Sequence, residues 1–283
     1  MAPPTELPEG DWLGACRRAT AAIQEVLAAA TTREERVLET GETGEGGDRT
    51  LAIDLAAEDA VFAELEALHD AGARFTAISE ERGRVDFGDP EVLAVIDPID
   101  GSLNAKRGLR AASLSVAVAS GPTMGDVVFG FVHDLGTGEQ WTATAGDGAR
   151  LDGKPLGPVL PERRLPDGRL ELVLAEMSAP ASVARAVDGL VEGANRVRVM
   201  GSVAIACCQV ADGRADAMVS LGGCRAVDAA AAQYVVRQAG GVVRFEGPGG
   251  PLDFPLADFD ARAAMVAAAS EPAADDAERI IRG

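Results

Sequence analysis

Lysine is nearly missing from this chain. Lys106 and Lys154 are its only two, and the other basic side chains are arginines, giving 26 basic residues against 45 acidic ones and a net charge of −19. No basic patch is visible, which argues against a role in binding nucleic-acid phosphates or anionic lipid headgroups, because a surface of this sign repels both. A small anionic molecule would be repelled as well unless bound cations inverted the potential locally. The acidic, lysine-poor balance points to a salt-adapted cytosol. Histidine is also scarce: His69 and His133 stand alone, and neither sits in a catalytic motif, so both read as surface or packing residues. The four cysteines, Cys16, Cys207, Cys208 and Cys224, have no C-x-x-C spacing and read as reduced structural thiols. No apolar run approaches the ~20 residues of a membrane span. The acidic, Pro-rich opening M-A-P-P-T-E-L-P-E-G-D does not read as a signal peptide, so the expected location is the cytoplasm. No repeat of fixed period is present.

What is there is a globular balance, 47% hydrophobic and 25% charged over 283 residues, enough to bury a substantial core in one catalytic unit. Residues from about Gly14 to Ala30 and from Leu51 to His69 carry apolar side chains at helical spacing, with Asp54 and Glu58 expected on the solvent face. Between them, the Gly-rich stretch from Gly41 to Asp48 reads as a mobile loop. Short apolar runs at Phe75–Ile78, Val92–Ile96, Leu114–Ala119, Val127–Val132 and Trp141–Ala145 read as strands. The D-L-G-T-G-E turn from Asp134 to Glu139 makes the last two of these a hairpin. Beyond Leu151 the pattern becomes alternating strands and helices, a second layered α/β half. The Pro- and Gly-rich segment Leu156–Gly168 sets the expected boundary, dividing the chain into 1–155 and 156–283.

The chemistry concentrates in L-A-V-I-D-P-I-D-G-S-L-N, Leu93 to Asn104. An apolar strand ends in Asp97, Pro98 stiffens the exit, and Asp100 follows three residues on. Two carboxylates in a fixed loop are the oxygen donors that hard divalent cations need. Gly101 and Ser102 come next, where unpaired backbone N–H groups would favour a phosphate.

The D-P-I-D-G-S-L-N segment closely resembles the signature of the inositol monophosphatase and archaeal-type fructose-1,6-bisphosphatase superfamily. Other segments match in the same order. F-T-A-I-S-E-E supplies Glu80 and Glu81 where that family has paired glutamates, and C-R-A-V-D-A-A-A-A-Q-Y resembles its later aspartate motif, with Asp228 on the aspartate. G-S-V-A-I-A-C-C-Q-V-A-D-G-R-A-D-A, Gly201 to Ala217, resembles the segment before that motif, and G-D-R-T-L-A-I-D-L-A-A-E, Gly47 to Glu58, resembles the N-terminal stretch bearing a water-activating aspartate, here Asp48. The chain departs from the family at Val227, where a tryptophan is usual, and at Ala105, where an aromatic is common. It has no acid near Ser220 to hold inositol and no lysine in the Gly-rich loop, for which Arg33 and Arg36 are the nearest basic candidates.

The resemblance implies a mixed α+β chain forming a layered αβαβα sandwich of the sugar-phosphatase type. It further implies a phosphomonoesterase acting on a small sugar or polyol phosphate, such as inositol-1-phosphate or fructose-1,6-bisphosphate. Two or three Mg²⁺ ions would be held by Glu80, Asp97, the Ile99 carbonyl, Asp100 and Asp228. Asp48 and the Ser102 hydroxyl would orient the attacking water, with Glu80 assisting. Asp100, Gly101 and Ser102 would meet the phosphate, and Gly201, Ser202 and Ala204 would face the sugar. The expected partners are a small-molecule phosphate ester and a second copy of the chain in a homodimer, with no nucleic acid and no membrane. A nucleotide 3′-phosphatase or an NADP phosphatase would share every metal residue, so the motifs leave the substrate open. An inactive regulatory homologue is disfavoured, since it would have no chemical need for Asp48, Glu80, Asp97, Asp100, Ser102 and Asp228 together.

Overall fold

A computed structural model describes residues 6–30, 32–43, 49–177 and 179–283. Helix α1 (Trp12–Ala29) starts at Asp11, whose carboxylate accepts the Gly14 N–H at 3.0 Å. Its buried side chains Trp12, Ala15, Cys16, Ala19 and Ile23 fall on one helical face. A single turn α2 (Arg33–Arg36) and the short antiparallel pair β1 (Glu39–Thr43) and β2 (Arg49–Leu51) lead into α3 (Ala52–Asp70). The Gly-rich stretch is thus partly a strand, a correction to the expected loop; its ladder is made by backbone groups and needs no apolar pattern. The rest of that stretch, including Asp48, lies outside the described residues.

Next come β3 (Thr76–Ser79), β4 (Gly83–Asp86), β5 (Leu93–Asp100), the short helix α4 (Ser102–Arg107), β6 (Ser113–Ala119), β7 (Val127–Asp134), β8 (Gln140–Thr144), β9 (Gly148–Leu151) and β10 (Lys154–Pro155). They form an eight-stranded sheet ordered β10-β9-β8-β7-β6-β5-β3-β4, in which only β3 and β5 run parallel. The remaining elements are β11 (Leu170–Glu176), α5 (Pro180–Gly193), β12 (Ala194–Arg198), α6 (Val203–Ala211), β13 (Ala217–Ser220), α7 (Ala226–Gln238), β14 (Val242–Phe245), β15 (Met265–Ala268) and α8 (Glu271–Arg282). Their sheet, ordered β12-β11-β13-β15-β14, has a parallel centre of β12, β11 and β13 and an antiparallel side of β15 and β14.

Three apolar clusters glue five layers. Helices α1 and α3 cover one face of the large sheet through Trp12, Phe62, Leu65, Phe75 and Phe129. Helices α6 and α7 lie between the two sheets, and their nearly all-round apolar surfaces share one cluster with Trp141, Val95 and Met218. Helices α5 and α8 close the far side through Ala186, Ala273, Ala277 and Ile280. The order is helix, sheet, helix, sheet, helix, as the resemblance implies. Fully burying one large apolar side chain such as Phe75 contributes roughly 1.5–3 kcal/mol. Among the described residues no helix is long and apolar enough to cross a membrane. The four cysteines are buried and free, and burial pushes each thiol above its ordinary value.

Two acids depart from expectation. Asp54 and Glu58, read as solvent-facing, are both buried on α3. Glu58 accepts hydrogen bonds from the Ser79 hydroxyl and from the Arg82 N–H, and Asp54 pairs with Lys106 at 3.5 Å. They tie α3 to the end of β3 and to α4, the segments that flank the site.

Candidate active site

Along a regular strand, residues 97 and 100 would point to opposite faces, because side chains alternate with a period of two. Pro98 lacks the N–H a ladder requires, and the β5–β6 register breaks between Asp97 and Asp100. The irregularity re-aims Asp100, so that both carboxylates reach the same cluster. In the parallel pairing of β3 with β5, Ser79 lies opposite Ile96, so the following residue, Glu80, emerges beside Asp97. Asp228 arrives from the first turn of α7. Carboxylate oxygens of Asp97, Asp100 and Asp228 lie within 4.8 Å of one another, and all three residues are buried. Glu80 stands outside that triad but lines the same cleft.

The electrostatics are unfavourable for bare acids. Burial, then the charges of Glu80, Asp100 and Asp228, push the Asp97 carboxyl well above the usual range. Asp100 is pushed up to about 7, by burial first and by the Asp228 charge second. Glu80 is raised chiefly by burial. Oxygen-only donors, burial and mutual repulsion together fit a hard divalent cation, which would relieve all three.

The supporting contacts explain several motif positions. Asp100 Oδ2 accepts from the Ser202 hydroxyl at 2.5 Å and from the Ala204 N–H at 2.8 Å, while Ser202 Oγ also accepts the Ile205 N–H at 3.1 Å as the cap of α6. Ser202 and Ala204, expected to face the sugar, are therefore engaged with Asp100, and Gly201 and Val203 line the cleft instead. Gly101 adopts φ +87°, and a β-carbon there would stand 2.8 Å from the Ala111 carbonyl oxygen and 2.9 Å from that of Gly201. Asn104 donates to the Ala111 carbonyl at 2.7 Å and the Met200 carbonyl at 2.8 Å, stapling the same three segments. Glu176, at the end of β11, accepts the Met200 and Gly201 N–H groups at 2.8 Å each, and burial raises its carboxyl to about 7.

The cleft measures about 370 Å³ and is walled by Glu80, Asp97, Ile99, Asp100, Gly101, Ser102, Glu176, Met177, Gly201, Arg225, Asp228 and Arg262, among others. A smaller recess beside it, shared by Asp97, Ile99 and Ser102, is closed by Asp54, Glu81 and Lys106. Of the site residues read from the sequence, Glu80, Asp97, Ile99, Asp100, Gly101, Ser102, Gly201 and Asp228 line the cleft, Ser202 and Ala204 bond to Asp100, and Asp48 lies outside the described residues. Arg225 was missed: its Nη1 lies 2.6 Å from Glu80 and its Nη2 3.0 Å from Asp228. A cation three residues ahead of a candidate ligand, at a helix start, was the available signal. Glu176 could have been suspected as an acid ending the otherwise apolar strand L-V-L-A-E.

A model of the inositol monophosphatase family matches residues 12–280. The chain belongs to the inositol monophosphatase family. The fructose-1,6-bisphosphatase/inositol-1-monophosphatase of Methanothermobacter thermautotrophicus is 35% identical over 236 residues, 80% of this chain and 80% of that one. Its counterpart in Archaeoglobus fulgidus is 32% identical, covering 83% and 84%. A solved inositol monophosphatase–fructose 1,6-bisphosphatase superposes with a TM-score of 0.80 at 25% identity, over 95% of this chain and 99% of that one. Membership makes this inositol monophosphatase family chain a phosphatase, a hydrolase of phosphoric monoesters, and Asp97, Asp100 and Asp228 form a group that could hold its metal.

Proposed function

We propose that the cleft hydrolyses a small sugar or polyol phosphate, inositol-1-phosphate or fructose-1,6-bisphosphate, with Mg²⁺ held by Glu80, Asp97, the Ile99 carbonyl, Asp100 and Asp228. What carries the reading is the buried carboxylate triad, opening on a cleft wide enough for a monosaccharide. Bound Mg²⁺ would neutralise the charge that builds on the phosphoryl oxygens during in-line displacement. The chain's own residues do the rest. Gly101 and Ser102 offer backbone N–H groups to the phosphate, and the Ser102 hydroxyl, with Asp48, orients the attacking water. Gly201 faces the sugar. Asp100 has a double duty, being fixed by Ser202 and Ala204 through one oxygen while it contributes to the cation site.

The two halves, 1–155 and 156–283, form the site together, since Glu80 and Asp97 come from one and Asp228 from the other. The working form we propose is a homodimer in the cytoplasm, and the acidic, lysine-poor composition supports its adaptation to high salt. The deciding experiment is a phosphate-release screen over inositol-1-phosphate, fructose-1,6-bisphosphate, NADP and 3′-phosphoadenosine 5′-phosphate with Mg²⁺ at several salt concentrations. Turnover of the first two ahead of the nucleotides supports the proposal, and a preference for either nucleotide overturns its substrate class.

A further inference from the structure

The carboxylates of this site are not equally exposed to one another. Arg225 donates from Nη1 to Glu80 Oε1 at 2.6 Å and from Nη2 to Asp228 Oδ1 at 3.0 Å, and its backbone N–H donates to Asp228 Oδ2 at 2.8 Å. Asp97 and Asp100, by contrast, are paired with no arginine or lysine among the described residues, though both lie in the same cluster. The guanidinium has no other ion-pair partner there, and its side chain is largely withdrawn from solvent, at 20% exposure. A planar fork spanning two acids from different parts of the chain is held where the two charges meet. The position is built in: Arg225 immediately precedes α7, and Asp228 folds back onto its N–H, so the base of the Arg225 side chain is held beside Asp228.

We propose that Arg225 is a tethered counter-ion for Glu80 and Asp228 which an incoming divalent cation has to displace, so that it stabilises the cation-free protein and weakens cation binding. The inference rests on the metal reading above. Both acids are named there as ligands, and a carboxylate whose charge is shared with a guanidinium offers less of it to a cation. Two positive groups competing for the same carboxylates also repel each other at short range. Asp97 and Asp100 face the cation with no arginine or lysine among the described residues bonded to them, whereas Asp228, already within 4.8 Å of both, and Glu80 Oε1 give the cation their full charge only as Arg225 turns away. Paired with the two acids, Arg225 also lines the substrate cleft.

The test is Mg²⁺ titration by calorimetry on the EDTA-stripped full chain, wild type against Arg225→Ala, with thermal melts of both in EDTA. The expected result is at least a ten-fold lower Mg²⁺ Kd in Arg225→Ala together with a lower cation-free Tm. Added guanidinium ion should weaken Mg²⁺ binding to the variant and leave the wild type unaffected, which a merely structural role for the side chain would not produce. If Arg225→Ala does not fold, Arg225→Lys decides the matter: its ammonium reaches one carboxylate and not both, so Mg²⁺ should bind several-fold more tightly than to the wild type. Wild-type binding with an unchanged or weaker affinity in the folded variant overturns this inference alone. Failure of wild type and variant alike to bind Mg²⁺ overturns the metal reading and this inference with it.

Discussion

Replacing Glu176 by glutamine tests how the cleft is braced, and its effect should depend on pH. The carboxyl is 1% exposed and accepts the Met200 and Gly201 N–H groups, the turn that leads into Ser202 and so to the bonds on Asp100. Burial raises its pKa from an ordinary 4.5 to about 7. Between those values the folded protein keeps a proton that the unfolded chain releases, so this residue's contribution to stability is highest at acid pH and falls as pH rises towards 7. At about 1.4 kcal/mol per unit, the loss between pH 5 and pH 8 amounts to about 2–3 kcal/mol. A glutamine has no such dependence, but its amide NH₂ leaves one backbone N–H without an acceptor, a cost of about 1–3 kcal/mol at every pH. Urea unfolding in EDTA at pH 5 and pH 8 measures both. Wild type should be clearly the more stable at pH 5, and the gap should close or reverse at pH 8. A gap constant to within about 0.5 kcal/mol would show that Glu176 does not titrate in this window, and the reasoning would fail.

Other expectations follow from the same geometry. Asn104→Ala removes two bonds that staple Ala111 and Met200 to α4, and should cost about 2–3 kcal/mol in urea unfolding while raising KM more than it lowers kcat. Gly201→Ala places a β-carbon 2.6 Å from Asn104 Nδ2 at φ +82°, and a melt should report a loss; an unchanged Tm would mean the stapled arrangement is misread. With 45 acids repelling one another, Tm should rise with KCl; a Tm unchanged between ~0.1 M and ~2 M KCl removes the salt-adaptation proposal.

Much of the fold was legible because its long elements carry strong periodic patterns: α1 and α3, and the strands β5 to β8, fall within a few residues of their sequence-based bounds. The short edge strands were not. Gly83–Asp86 and Lys154–Pro155 have no apolar alternation and exist because a neighbouring strand offers backbone partners, information that lies elsewhere in the chain. The burial of Asp54 and Glu58 was likewise hidden, since a helical pattern says which residues share a face and not whether a lysine or serine from another element meets them there. At the site, the spacing of Asp97 and Asp100 was visible, but the register break that lets both reach one cluster is a property of the β5–β6 pairing. Ser202 and Ala204 were expected to face the sugar, and sequence could not reveal that both would donate to Asp100. Arg225 shows the same limit: its contact with Glu80 spans 145 residues.

In the proposed reaction Asp97, Asp100 and Asp228 act through a divalent cation to hydrolyse a phosphomonoester. The most direct test is phosphate release from inositol-1-phosphate and fructose-1,6-bisphosphate by wild type and Asp97→Ala, with and without Mg²⁺, alongside circular dichroism to verify folding. Wild-type turnover should vanish in EDTA and return with Mg²⁺, and the folded variant should keep less than a tenth of it, a barrier increase above about 1.4 kcal/mol. EDTA-resistant turnover by the wild type, or a variant retaining more than that tenth, would contradict it.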